Sequence, residues 1–272
     1  MKTILAVDST TEILKISVSD NDKILSEQKD NKNRKHVVNI INNIDTVFKN
    51  AGKSIKDVDL FAINLGPGDF TGGRIGISVV KIFSMLSGKP VYGFNSLDVF
   101  STGCFLKNIK SIAKKKIGYD KVYIIPLMDV RNNEIYFSIY EVKNKKGYND
   151  LIFNLDFEDQ KYYLYKKTGN FLLNSDDFNK KFPQVIEQLD YKLKSQIFLT
   201  ANAIRSYKSL LTELKDNILA EHGLIRIEID EKNIYPDSRY LNYLSNYSFD
   251  NNLKPVPVTP VYVRDFITLG KK

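Results

Sequence analysis

The chain has 272 residues, 43% hydrophobic and 26% charged, ordinary values for a globular protein of about two domains. No run approaches ~18 uninterrupted apolar residues, the opening MKTILAVDSTTE lacks a signal-peptide core, and the single Cys104 allows no internal disulfide, so no membrane span and a cytoplasmic setting are expected. The net charge of +8 comes from 33 lysines and only seven arginines, which fits an AT-rich codon bias as well as a basic surface, so charge alone assigns no polyanion partner.

In chain order, the apolar run Ile4 to Val7, the polar turn Asp8 to Glu12 and the alternating stretch Ile13 to Val18 predict a hairpin. Its first strand is buried on both faces. Val37, Ile40, Ile41, Ile44, Val47 and Phe48 recur at helical spacing, and Gly52 closes that helix. Leu60 to Leu65 predicts a strand. It enters LGPGDFTGGRIGIS, which holds five of the 14 glycines: Gly66, Gly68, Gly72, Gly73 and Gly76. Pro67 fixes one φ in this loop and Thr71 is placed to cap the next helix. That helix is predicted from Gly76 to Leu86, stopped by Gly88 and Pro90, with Gly73 and Gly76 one turn apart to admit a neighbouring backbone. Val91 to Phe94 is the next strand, so a mixed sheet with right-handed parallel crossovers is implied.

Thr102 to Asp120 is a lysine-rich bridge. Val122 to Leu127, the turn Asp129 to Asn133 and Ile135 to Val142 then form a second hairpin that echoes the first. Residues 143–195 read as inserted short strands and loops, Ile197 to Thr200 as a strand, Ser206 to Leu214 as a helix and Ile225 to Ile229 as the last strand. Tyr240 to Tyr247 makes a final helix before the proline-punctuated tail PVPVTPVYVRDF. The expected division is residues 1–105, a second domain 106–234, and a C-terminal helix and tail 235–272 returning toward the first domain.

Strand, glycine loop and helix together form a geometry in which backbone N–H groups can face an anion or another chain. Neither a P-loop nor a dinucleotide fingerprint is present, and a tight connection with no ligand fits the spacing too. Asp8, Ser9 and Thr10 with Asp129 are candidate nucleotide or phosphate contacts, two aspartate-bearing hairpins flanking a cleft. The alternative is a pair of turn aspartates bonded to their own backbone. His36 and His222 lie far apart, neither with a second histidine four residues on, so no metal site is expected. Lys114, Lys115 and Lys116, and the basic–aromatic KYYLYKK at 161–167, are candidate nucleic-acid contacts or plain solvated faces. Ile75, Ile77, Val79, Val80, Ile82, Phe83, Met85 and Leu86 leave their helix almost no polar face. Such a helix is covered on both sides, within a large α/β domain or in an inter-chain four-helix bundle with the Val37 to Phe48 helix.

The Asp8-Ser9-Thr10 hairpin and the GPG-x-FTG-x-RIG loop resemble the acetate kinase/sugar kinase/Hsp70/actin superfamily. That resemblance implies an α/β, two-domain actin-like fold of mixed sheets flanked by helices. GPGDFTGGRIGIS followed by GKPVYGFNSLDVF resembles the TsaB (YeaZ) family more closely, and LMDVRNNEIYFSIY, YPDSRYLNYL and PVYVRDF are similar to its segments. The likeness is good over residues 1–102, fair over 120–142 and 225–265 and poor between. The family usually carries serine at Asp69, a larger residue at Gly73 and a His-Ser-Glu-like stretch at His36-Val37-Val38.

The resemblance implies a non-catalytic subunit of the complex that makes threonylcarbamoyladenosine in tRNA. It would pair with the catalytic transferase subunit (TsaD-like), or with itself when alone, with an ATPase subunit (TsaE-like) alongside. ATP and metal would sit in those partners, with no cofactor here, and tRNA would be reached through the complex, Lys114 to Lys116 included. On that reading no residue is catalytic. The interface residues would be His36, Val37, Ile40, Ile41, Ile44, Thr71, Gly72, Arg74, Ile75, Val79 and Phe83. The alternatives are an ATP-dependent kinase or phosphotransferase using Asp8 and Asp129, and a stand-alone tRNA-binding module.

Overall fold

The computed structural model describes residues 1–30, 36–115, 118–147, 150–187, 189, 193–221, 223–232, 235 and 237–263. The chain begins β1 (Thr3–Asp8), β2 (Leu14–Asp20), β3 (Lys23–Asp30), α1 (His36–Ala51), β4 (Leu60–Gly66), α2 (Phe70–Ser87), β5 (Val91–Asn95) and α3 (Ser96–Lys115). It continues β6 (Lys121–Asp129), β7 (Glu134–Phe137), β8 (Tyr140–Lys143), β9 (Leu151–Phe157), β10 (Gln160–Lys166), β11 (Phe171–Asn174) and α4 (Ser175–Glu187). β12 (Ser195–Thr200), α5 (Ala203–Ser206), α6 (Lys208–Glu221), β13 (Ile225–Ile229) and α7 (Ser238–Asp250) complete it. One compact unit comprises Met1–Val99 with Pro236–Tyr262, and the second contains Phe100–Tyr235.

The first unit is a five-stranded sheet in the order β3-β2-β1-β4-β5, antiparallel across β1, β2 and β3 and parallel across β1, β4 and β5. β1 and β4 read as unbroken apolar runs because both of their faces are covered. On one face Leu5, Val7, Ile16, Val18, Phe61 and Ile63 pack on Ile40, Ile44, Val47 and Phe48 of α1 and Ile77 and Val80 of α2. The other face mixes apolar Ile4, Ala6, Leu60 and Ala62 with Ser17 and Ser19 and takes α7, whose Asn242 donates to Ser17 Oγ at 3.2 Å.

Asp237 caps α7 and accepts from the Arg239 backbone N, Nε and Nη2 at 3.0, 3.1 and 3.0 Å. Burial pushes this carboxyl up, but the Arg239 bonds and charge outweigh it and hold the group at about 2, below the ordinary 3.8. A carboxylate depressed in the folded state stabilises fully above its unfolded value and loses that contribution as pH falls through its folded one. An acid titration of the unfolding midpoint is therefore expected to show roughly 2 kcal/mol lost between about pH 4 and 2, a step absent from Asp237→Asn.

The second unit is an eight-stranded sheet centred on β6, which pairs antiparallel with β7 and β8 and parallel with β12. β13 is parallel to β12. β6, β12 and β13 thus repeat the layout of β1, β4 and β5, with the returning strand split into β7 and β8. α4 and α6 cover one face around Phe137, Phe178, Phe182, Leu211 and Leu214. The chain therefore carries the two-domain actin-like fold, and the weak echo between its hairpins marks a repeated topology.

Three local expectations change. α2 begins at Phe70, six residues before Gly76, because Asp69 and not Thr71 is its cap: Asp69 Oδ1 accepts from Gly72 N at 2.7 Å. β3 is a half-exposed polar edge strand whose alternation is too faint to stand out. α4 lies inside the stretch read as strands and loops. Its Phe178, Phe182, Val185 and Ile186 keep helical spacing, but Pro183 interrupts the pattern.

Candidate functional site

The glycine loop is shaped around the chain's own first turn. Gly66 ends β4 at φ 98, a backbone conformation open mainly to glycine. Asp69 N donates to the Thr10 carbonyl at 2.5 Å. A Cβ on Gly72 would overlap the Ser9 carbonyl oxygen, one on Gly68 the Thr10 carbonyl oxygen, and one on Gly76 the Ser9 hydroxyl. The close neighbour that the sequence left unnamed is the Ser9–Thr10 turn. Gly73, by contrast, is only in loose reach of Thr10 Cγ2 at 3.9 Å.

Beneath this turn Asp8 is 1% exposed and bonded through both oxygens. Oδ1 accepts from Thr10 N at 3.0 Å and Thr10 Oγ1 at 2.7 Å, and Oδ2 accepts from Asn64 Nδ2 at 2.9 Å. Asn64 Oδ1 in turn accepts from Gly66 N at 3.0 Å and Ser96 Oγ at 2.9 Å, so its amide cannot flip without losing both. A phosphate does not fit this helix start: Asp69 puts a carboxylate on the amide of Gly72, and Thr10 puts a carbonyl on that of Asp69. Asp8→Asn is expected to place one amide donor against another at Asn64 and lower stability by about 1–3 kcal/mol, measurable in denaturant.

Asp129, in the other unit, holds its own turn, Oδ1 accepting from Arg131 N at 2.9 Å, with its backbone N bonded to Asn202 Oδ1 at 3.1 Å. Each aspartate thus accepts a hydrogen bond from the backbone N two residues on.

α1 and α2 pack side by side on the sheet. Ile40 and Ile44 face the sheet and Gly72 faces Ser9, so these three expected interface residues are corrected to core positions. Ile41, Thr71 and Arg74 are exposed, and Ile75, Val79 and Phe83 are half-buried. His36 and Val37 open α1, and their side chains lie outside the described residues. The expected set missed the most exposed apolar members of α2: Phe70 at 57%, Ile82 at 54%, Met85 at 81% and Leu86 at 82%. Their signal was present as the missing polar face. Near the start of the ridge, the Arg74 guanidinium stacks 3.7 Å from the Phe70 ring and donates to Tyr262 Oη at 2.9 and 2.7 Å, tying α2 to the tail.

Lys114 is exposed, while the Lys115 side chain, Lys116 and His222 lie outside the described residues. The basic–aromatic stretch is partly spent internally. Lys121, Lys143 and Lys167 surround the buried Glu141 carboxylate at 3.1, 3.4 and 3.6 Å. Burial pushes Glu141 up, and the lysines, Lys121 foremost, bring it below the ordinary carboxylate value. Among the described residues no group of three or more His, Cys, Asp or Glu is placed to hold a metal, and no helix is long and apolar enough to cross a membrane.

The family "TsaD: tRNA N6-adenosine threonylcarbamoyltransferase" matches residues 23–154. The tRNA threonylcarbamoyladenosine biosynthesis protein TsaB of Escherichia coli is 28% identical over 138 residues, 51% of this chain and 54% of that protein. The chain spans about half the length of the first curated relatives it matches. A TsaB of Buchnera aphidicola from Baizongia pistaciae is 24% identical over 245 residues, covering 85% of this chain and 100% of that one. In fold, YeaZ from Pseudomonas aeruginosa superposes with TM-score 0.64 at 19% identity, over 97% of this chain and 100% of that one. A second Pseudomonas aeruginosa structure, described as similar to peptidase YEAZ, gives TM-score 0.66 at 18% identity, with the same coverage of both chains. The glycine loop, the repeated hairpin topology and these relatives agree: the chain is similar to the TsaB (YeaZ) proteins in sequence over half its length and in fold over nearly all of it.

Proposed function

We propose that this chain is a non-catalytic subunit in tRNA threonylcarbamoyladenosine biosynthesis, docked on a catalytic transferase subunit by the outer ridge of α2. The observation that carries this reading is the ridge itself: Ile82, Met85 and Leu86 in water, with Val79 and Phe83 half-buried beside them. A contiguous exposed apolar row marks a contact surface. The non-catalytic part is supported by Asp8 and the α2 start, whose polar groups are bonded within the chain. ATP and metal are assigned to the partner subunits and tRNA to the assembled complex, in the cytoplasm. Without its partner the chain would pair with itself on the same ridge.

A kinase mechanism would need the Asp8 carboxylate turned to phosphates and Mg²⁺, and it is committed to Thr10 and Asn64. The test is co-purification with the catalytic subunit, followed by assay of the modified nucleoside with and without this chain. Loss of product when the chain is omitted is expected. Equal product without it, or ATP turnover by the purified chain alone, would overturn the proposal.

A further inference from the structure

A different surface lies in the second unit. β13 closes one side of its sheet, and among the described residues only β12 pairs with it. Ser195 N donates to the Leu224 carbonyl at 2.9 Å, and Asp230 N to the Leu199 carbonyl at 2.8 Å. In a parallel pair alternate residues face the neighbour, so positions 224, 226, 228 and 230 turn their backbone groups to β12. Ile225, Ile227 and Ile229 turn theirs outward, the Ile229 carbonyl already accepting from Glu231 N at 3.2 Å, so the Ile225 and Ile227 groups and the Ile229 N–H are the ones offered to a neighbour. A groove of ≈ 600 Å³ runs along this strand, bordered by Tyr119, Lys194 and Lys215. The Ile225 and Ile227 side chains are buried in the core. Arg226 and Glu228 alternate onto the opposite face, 56% and 30% exposed and 3.4 Å apart.

Sheet edges are commonly guarded by lysines, a proline or a bulge. β13 is five regular residues with one charge of each sign. Read antiparallel about Ile227, the sequence Ile-Arg-Ile-Glu-Ile is complementary to itself. Arg226 falls opposite Glu228 of a second copy, Glu228 opposite its Arg226, and Ile225 opposite its Ile229. The two Ile227 residues then form a hydrogen-bonded pair that exchanges both N–H···O=C bonds. The charged residues take the non-hydrogen-bonded positions, where facing side chains come closest.

We propose that β13 is a homotypic docking edge, to which the β13 of a second copy adds antiparallel about a two-fold axis and joins the two sheets. This edge shares no residue with the α2 ridge, so it stands or falls separately from the proposed partner contact.

The test is sedimentation equilibrium of the full chain carrying Ile82→Asp and Leu86→Asp, which silence pairing through α2, with folding checked by circular dichroism. In this background Arg226→Glu or Glu228→Arg sets like charges opposite each other twice and is expected to weaken the dimer about tenfold or more. Arg226→Glu with Glu228→Arg in one chain is expected to restore it, and the two single variants are expected to pair when mixed. Exchange of the Ile227 amide is expected to slow as protein concentration rises. A chain monomeric up to about 1 mM, far weaker than a specific edge requires, would overturn the proposal. So would a dimer indifferent to these charges, or a swapped chain as weak as the single variants.

Discussion

Gly72→Ala is expected to destabilise the chain by about 2–3 kcal/mol, although intrinsic propensity taken alone favours alanine in a helix by about 1 kcal/mol. Two effects compete at this position, and geometry decides between them. The new Cβ would enter the space of the Ser9 carbonyl oxygen, a backbone atom held by the β1–β2 turn. That turn is pinned by Asp8 to Thr10 and by Thr10 to Asp69, so it cannot retreat without breaking those bonds. Gly76→Ala meets a softer obstacle, the Ser9 hydroxyl, which is buried without a hydrogen-bond partner. Ser9→Ala is therefore expected to be near neutral alone and to recover part of the Gly76→Ala loss, while recovering none of the Gly72→Ala loss. Urea unfolding of the parent, the three single variants and the two double variants checks this, and a Gly72→Ala chain as stable as the parent would remove the packing argument.

Ile82→Asp combined with Leu86→Asp is expected to reduce association with the catalytic subunit by at least about 100-fold, as the loss of central apolar anchors does. Both side chains are mainly in water in the isolated chain, so the unfolding midpoint is expected to change by no more than about 0.5 kcal/mol. Ile44→Asp is the control. Ile44 lies on α1, which the sequence assigned to the same interface, but its side chain is 3% exposed in the core, so it is expected to cost several kcal/mol and unfold much of the protein. Calorimetric titration of the folded double variant reads the interface directly. Unchanged affinity would move the contact elsewhere.

Much of this molecule is legible in the residue pattern. β1, β4, β5, β6 and β12 announce themselves as largely apolar runs, since strands buried between two layers have little room for polar residues, and β2 and β13 announce themselves as alternation. The half-solvated β3 and the proline-bearing α4 do not, because their pattern is diluted by water on one side and by Pro183 on the other. The α2 ridge is visible as an excess of apolar residues, and its direction is not. Periodicity fixes which residues share a face of a helix, whereas which face meets the sheet depends on where the strands lie.

The sequence by itself determined that two hairpin-led α/β units are present and that the glycine loop joins a buried strand to a long apolar helix. These follow from local rules: period, turn chemistry and residue type. Only the tertiary structure decided what the glycines admit, because Ser9 and Gly72 are 63 positions apart and meet through the parallel pairing of β1 with β4. It also decided that Asp8 serves Thr10 and Asn64, and that Ile40 and Ile44 belong to the core while Ile82 and Leu86 face solvent. Contacts of long sequence separation carry no local signature, so the site's chemistry waited on the fold.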